Sequence, residues 1–386
     1  MNILFFAPNT LIDGNKGDSI HLKEVIINLS KSNNIILLAR TNNNFCSIEN
    51  INFKRVRCII MPRLEIISGS LHSFIMGLNI VLRSKIDVIY ERSHTFGSGV
   101  IIGKITGIPV IVEVNGLTSE ESSICGTYGK VIQKIVYFLE KSFFSGANKL
   151  VVVTPRLKYV LQNEYKIQPN KIRVIQNGAN INLFKPMDQE IAKAELGLIQ
   201  QYKYVCFVGN LVPWQGIEYL VEAAPFVIKT APETIFLIVG DGMMYGPLQS
   251  LVKKYHLENH FYFTGSIAYD QVPKYINASD ICVAPFILAR NEKIGLSPLK
   301  IYEYMACGKP VIGSNINGVG DILEKSKSGI SFAAENAVEF SKALIRLIKD
   351  HQIREKMGRN GRIYVLKNHS WESITLKLIS LCKEIT

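Results

Sequence analysis

The chain has 386 residues, 47% apolar and 20% charged, with 28 Gly and 14 Pro. Such a length is about twice what one hydrophobic core organises, so two domains of roughly 190 residues are expected. The composition excludes a disordered, collagen-like or coiled-coil chain. The formal charge of +12 is uneven, since residues 1–185 hold 22 Lys and Arg against 12 Asp and Glu, and residues 186–386 hold 22 against 20. Any anionic surface is therefore met by the first half. Seven cysteines (Cys46, Cys58, Cys125, Cys206, Cys282, Cys307 and Cys382) lie among apolar runs without a C-x-x-C pair. They read as small buried hydrophobes in a reducing compartment. Met1–Pro8 lacks a basic n-region and reads as a first strand, not a signal peptide. The uncharged stretch Ile66–Leu82 is broken by Ser68, Gly69, Ser70, His72 and Asn79. It is too short and polar to span a membrane, and reads as a core helix or as an apolar face that inserts at a surface.

In chain order, short apolar runs alternate with longer stretches of helical period. The first-half strands are expected at Ile3–Ala7, Ile35–Ala39, Val56–Ile60, Val88–Tyr90, Val110–Val112, Leu150–Val153 and Arg173–Ile175. The second-half strands are expected at Tyr204–Val208, Ile235–Val239, Phe261–Phe263, Ile281–Ala284, Pro310–Ile312 and Ile330–Phe332. Between them, segments such as Ile217–Ile228 and Glu335–Ile348 repeat apolar residues at i, i+3, i+4 and i+7. Strands separated by helices imply right-handed crossovers and parallel sheets buried on both faces. The pattern restarts near residue 202, after a polar stretch around Asn182–Ile199. Two doubly wound α/β domains follow from this, closed by an amphipathic helix over Trp371–Ile385. Open parallel sheets bind ligands at the carboxyl ends of their strands, and two such domains facing each other put the ligand in a cleft.

After the first strand, Asn15-Lys16-Gly17-Asp18-Ser19-Ile20-His21 opens a helix. Gly17 lets backbone N–H groups approach a ligand oxygen, with His21 one turn in. The same residues also read as a plain cap through Asp18 or Ser19. Gly97–Gly103 has one residue too many for a dinucleotide fingerprint and follows the fourth strand, so a helix packed closely on the sheet is expected. Glu113-Val114-Asn115-Gly116 ends a strand. It is either an acid and an amide that hold a sugar hydroxyl or stabilise positive charge, or a simple Asn-Gly turn. His256 and His260 have helical metal spacing but no third ligand and read as surface histidines. A Walker A loop, a serine nucleophile elbow and Asp-x-Asp are absent.

The second half is richer. Val208–Gly216 runs from a strand into a helix like an anion-binding turn, and Val239-Gly240-Asp241-Gly242 closes another strand. In Gly295–Ile312, Ser297-Pro298 begins a helix whose first-turn N–H groups, near Leu299 and Lys300, face a ligand. Lys300 adds a point charge suited to phosphate. Glu303 lies within reach of a ribose diol, and Gly308 stops the helix. This suits a nucleoside diphosphate, and a well-capped structural helix with solvated charges is the alternative.

In order along the chain, these segments resemble glycosyltransferase family 4, retaining transferases of the GT-B fold. The resemblance is carried by Lys171–Asn180, Phe184-Lys185-Pro186, Phe207–Gly216, Gly240-Asp241-Gly242, Phe263-Thr264-Gly265, Ala278-Ser279-Asp280, Glu303–Pro310 and Ser370-Trp371-Glu372. It implies an α/β fold of two Rossmann-like domains facing a cleft. An acceptor domain would cover 1–183, a nucleotide-sugar domain 184–366, and a helix over 367–386 would cross back to the first. Donor contacts are implied for Gly17, Gly209, Asn210, Gln215, Gly240, Gly295, Ser297, Pro298, Leu299, Lys300 and Glu303, and catalytic roles for His21, Asn115 and Lys300. Glu303 matches the second acid of the family's Glu-x7-Glu motif. The first falls on Gly295, with Glu292 the nearest substitute. Asn210 and Gln215 stand where basic residues commonly clamp the diphosphate. Phosphate binding then leans on backbone N–H groups at Gly209 and Ser297–Lys300, helped by Lys300 and by Arg290 or Lys293.

The implied activity is transfer of a hexose-type sugar, with retention, from a nucleoside-diphosphate sugar to a hydroxyl of a lipid-linked or cell-surface glycan precursor. No metal or cofactor is expected. The implied setting is cytoplasmic, with the basic first domain at an anionic membrane surface and no nucleic-acid partner. Two alternatives keep the fold, a nucleotide-sugar epimerase or phosphorylase-type enzyme and a non-catalytic nucleotide-sugar-binding subunit.

Overall fold

A computed structural model describes residues 1–42, 49–59, 64–92, 97–120 and 129–386, with the side chains of 64–66, 130 and 290 outside that set. The chain forms two units, Met1–Gln176 with Glu372–Thr386, and Asn177–Trp371. The first division thus falls before residue 183. The reason is local: the Asn177 N–H donates to Ser297 Oγ at 2.9 Å, its side-chain amide donates to Ser297 O at 2.7 Å, and Ala179 bridges to Ser370. Residues 177–183 are already built into the second unit.

The first unit runs β1 (Asn2–Leu11), α1 (Gly17–Ser30), β2 (Asn34–Arg40), β3 (Ile51–Arg55), α2 (Leu64–Arg83), β4 (Val88–Arg92), α3 (Ser98–Thr106), β5 (Val110–Val114), α4 (Lys130–Gly146), β6 (Lys149–Val152), α5 (Pro155–Asn163) and β7 (Ile172–Val174). Its sheet has the order β3-β2-β1-β4-β5-β6-β7, with parallel pairs throughout. Helices cover both faces, so a central strand is apolar without alternation, and Ile3, Leu4, Phe5, Phe6 and Ala7 are all fully buried.

The strand expected at Val56–Ile60 lies instead at Ile51–Arg55. It is the sheet edge and largely solvated, so Asn52, Lys54 and Arg55 are tolerated there, while the apolar run after it only extends the ladder through the Val56 N–H to Ala39 O bond of 2.9 Å. Ile60 is outside the described residues. Gly97–Gly103 enters α3, whose Gly99 and Gly103 lie against Ile89 and Val110, the close packing expected of small residues.

The second unit runs α6 (Gln189–Glu195), β8 (Lys203–Val208), α7 (Ile217–Thr230), β9 (Thr234–Val239), α8 (Tyr245–Lys254), β10 (Phe261–Gly265), α9 (Val272–Ala278), β11 (Ile281–Ala284), α10 (Leu288–Ile294), α11 (Leu299–Ala306), β12 (Val311–Ser314), α12 (Gly320–Ser326), β13 (Gly329–Phe332), α13 (Ala337–Lys349) and α14 (His351–Asn368). Its parallel sheet has the order β10-β9-β8-β11-β12-β13. Strand order reverses between β1 and β4 in one sheet and between β8 and β11 in the other. The last helix, α15 (Trp371–Ile385), buries Ile374, Leu378, Leu381 and Cys382, and from Glu372 onward it belongs to the first unit. None of the described cysteines is in a disulfide, and Cys206, Cys282, Cys307 and Cys382 are buried.

Candidate active site

In the second unit, strand order reverses between β8 and β11, and the loops at their carboxyl ends are where an open parallel sheet holds a ligand. The turns after β8 and β9 run together: the Gly209 N–H donates to Val239 O at 2.9 Å and the Leu211 N–H to Asp241 O at 2.8 Å. A Cβ on Gly240 would stand 2.0 Å from Gly209 O, so no other residue fits this approach. Asn210 is exposed in the turn, with its amide oxygen against Gly242. Gln215 ends a short 3-10 turn, Pro213–Gln215, ahead of α7.

The helix carrying the densest motif, α11, begins at Leu299. Pro298 precedes it in extended conformation (φ −77°, ψ 127°) instead of occupying the first turn. Ser297 is also outside the helix. Its hydroxyl accepts from Asn177 and lies 3.1 Å from the Tyr302 hydroxyl, a structural tie. The Tyr304 hydroxyl accepts from the Val208 N–H at 2.8 Å and fixes α11 to the end of β8.

That placement delivers Lys300. Its ammonium donates to Gln215 Oε1 at 2.7 Å and stands 3.8 Å from the Phe207 ring centroid and 5.4 Å from that of Phe286. The enclosure is tight enough that a Cβ on Gly209 would lie 2.7 Å from the nitrogen. Burial pushes the lysine down to about 7, while the neighbouring Glu303 carboxylate pulls the other way. Glu303 is 5% exposed, one turn along the same face, and accepts a 2.7 Å bond from the Tyr269 hydroxyl. Gly209, Gln215, Lys300 and Glu303 are thus one cluster, and Gly240 joins it through Gly209.

Gly295 takes a different part. It ends α10 with φ 68° and ψ −178°, a conformation open essentially to glycine alone. An acid in that register is incompatible with this turn. Glu292 is exposed on α10, Lys293 is half-buried, and the Arg290 side chain lies outside the described residues.

In the first unit, α1 starts at Gly17, which is exposed, and no side chain caps it, so the cap through Asp18 or Ser19 does not form. His21 is buried one turn in, with Nδ1 3.6 Å from Glu113 Oε1. Glu113, 2% exposed at the end of β5, is the hub. The Tyr90 hydroxyl donates to it at 2.8 Å and the Asn115 amide at 2.6 Å, and Arg92 Nε stands 3.3 Å away. Arg92 also donates to Asp18 O at 2.6 Å, which joins β4 to the first turn of α1. Burial raises the Glu113 carboxyl, but His21, Arg92 and the bonds from Asn115 and Tyr90 outweigh it and hold it below the usual carboxylate range. Burial pushes His21 down to about 4, so near pH 7 its ring is neutral and Arg92 carries the countercharge. Asn115 itself is exposed.

Sequence reading missed Tyr90 and Arg92 as members of this group. The signal was available: residues two apart share a strand face, and β4 pairs with β5 so that Arg92 stands beside Glu113. Glu91 points the other way, accepts from the Val100 N–H at 3.0 Å and is raised to about 7 by burial. Tyr269 was missed because nothing local marks it. Among the described residues no group of three or more His, Cys, Asp or Glu could hold a metal ion, and no helix is long and apolar enough to cross a membrane. His260, in a 3-10 turn, bonds Thr234 O through Nδ1 at 2.9 Å.

Residues 17–183 match the profile described as Glycosyltransferase Family 4, and residues 188–364 match that of Glycosyl transferases group 1. The alpha-D-kanosaminyltransferase of Streptomyces kanamyceticus is 24% identical over 304 residues, 76% of this chain and 77% of that protein. The UDP-Gal:alpha-D-GlcNAc-diphosphoundecaprenol alpha-1,3-galactosyltransferase of Escherichia coli is 27% identical over 297 residues, 75% of this chain and 73% of that one. The solved structure of Anabaena HepE in complex with UDP-glucose matches with a TM-score of 0.76 at 17% identity, covering 100% of both chains. The chain belongs to glycosyltransferase family 4 and has the GT-B fold.

Proposed function

We propose that the protein transfers a hexose from a nucleoside-diphosphate sugar, with retention at C1, to a hydroxyl of a lipid-linked or surface-glycan precursor. The second unit takes the donor. Glu303 holds the ribose diol, and Lys300 with the first-turn N–H groups of α11 and the Gly209 turn receives the diphosphate. The C1–O bond to the diphosphate breaks as the acceptor oxygen attacks from the same face, and the acceptor proton passes to the departing phosphate oxygen. Lys300 stabilises the charge that develops there. In the first unit, Asn115 and the neutral His21 hydrogen-bond the transferred sugar and the acceptor, held in place by Glu113.

The observation that carries this reading is the pairing of a buried carboxylate, Glu303, with a desolvated ammonium, Lys300, on one turn of α11. Support also comes from the named donor of the Escherichia coli relative, a UDP-sugar, and from its lipid-diphosphate acceptor. Thermal unfolding with UDP-, GDP- and ADP-sugars tests it. One class is expected to raise the melting temperature of the wild type and to lose that effect in Glu303→Ala. If no nucleotide sugar shifts either protein, the donor assignment fails. The anomeric configuration of the product, read by NMR, tests retention.

A further inference from the structure

The helices α2, α3 and α4 are successive right-handed crossovers, so they lie side by side on one face of the first sheet. They pack closely: Gly77 of α2 sits against Ile102 of α3, and Gly146 of α4 against Val100 and Lys104 of α3. The buried positions of α2 are small residues, Gly69, Ser70, Ser73 and Gly77; Phe74, Met76, Leu78, Ile80 and Val81 are half-buried, while Ile67, Leu71, Ile75 and Leu82 are exposed. Leu71 is 59% exposed, Ile75 58%, Ile105 of α3 64% and Phe138 of α4 66%, with Ile67 and Ile135 beside them. Large apolar side chains left in solvent on three neighbouring helices are more than the core-facing stripe of an amphipathic helix accounts for. The same layer carries exposed Arg83, Lys104 and Lys134. Glu140, the acid among the described side chains of these helices, is buried beneath Thr118, Ser119 and Tyr165. Exposed apolar residues on three neighbouring helices, accompanied by cations and without an exposed acid among those helices' described side chains, are complementary to an anionic lipid surface.

We infer that the outward face of α2, α3 and α4 is a membrane-docking surface. It lies flat on a bilayer containing anionic lipid, with Leu71, Ile75, Ile105 and Phe138 entering the headgroup boundary and Lys104 and Lys134 at the phosphates. α2 is about 30 Å long and rests in the interface plane. The biological purpose rests on the lipid-linked acceptor proposed above; the binding itself does not.

The test is flotation of the full chain with phosphatidylcholine vesicles, with and without phosphatidylglycerol, in the absence of donor and acceptor. Binding is expected only with phosphatidylglycerol. Lys104→Glu/Lys134→Glu is expected to weaken it by about tenfold or more, and Leu71→Gln/Ile75→Gln/Phe138→Gln to abolish it. All five substituted side chains are exposed, and unchanged melting temperatures together with unchanged turnover of a water-soluble acceptor analogue confirm folded proteins. The inference is overturned if wild type ignores anionic vesicles, if the variants bind like wild type, or if sedimentation shows that the face instead joins two copies. Vesicle binding without any nucleotide-sugar shift would sink the donor reading and leave docking intact, and the reverse result would do the opposite.

Discussion

Lys300 keeps its ammonium between aromatic rings and an amide instead of in water, and this makes its charge adjustable near neutral pH. In the free protein it titrates at about 7. A bound diphosphate favours the ammonium form, so above pH 7 binding must take up a proton. Donor affinity is therefore expected to be greatest below pH 7 and to fall about tenfold per pH unit above it, until the bound-state value is reached. Lys300→Arg flattens the profile, because arginine stays charged. Lys300→Ala lowers turnover on the order of a hundredfold, the range seen when one preorganised donor to a developing anion is lost. Titration calorimetry across pH and steady-state kinetics read these effects, and a flat wild-type profile would remove the role. Lys300 and Glu303 were legible in the sequence because a helix start, a base and an acid share one short segment. Tyr269 was not, since it meets Glu303 across elements and nothing in its own neighbourhood marks it; Tyr90 and Arg92 share a strand face by their spacing, but their common partner Glu113 lies on another strand.

At the scale of elements, the turn between α10 and α11 explains a missing acid. With φ 68° and ψ −178°, Gly295 holds a shape that a side chain strains. Gly295→Glu, which would restore the family's paired acids, is expected instead to cost about 1–3 kcal/mol of stability, with no gain in donor affinity. Denaturant unfolding and the nucleotide-sugar thermal shift measure both, and tighter donor binding would show that the turn relaxes to accept the acid. The strands were readable to within a few residues wherever helices cover both sheet faces, as with β1 and β8, because there the apolar run is the burial pattern. β3 escaped because an edge strand is selected by its neighbour's free backbone and tolerates lysine and arginine. The start of α11 shifted because Pro298 sits just ahead of the helix, a position that composition does not separate from the first turn.

At the scale of the whole molecule, the chain returns at its end to complete the unit it began. Leu381→Ala is expected to destabilise the first unit by about 2–5 kcal/mol, as a core truncation does, whereas Glu384→Gln, at an exposed contact with Lys149 and Arg173, has little effect. Calorimetry resolving the two transitions checks that only one of them moves. The arrangement also sets a timetable. While the polypeptide emerges from the ribosome, residues 177–371 are made before α15, so the unit synthesised first waits with the seat of Ile374, Leu378 and Cys382 bare until that helix follows, and the nascent chain carries the sticky surface throughout the synthesis of the second unit.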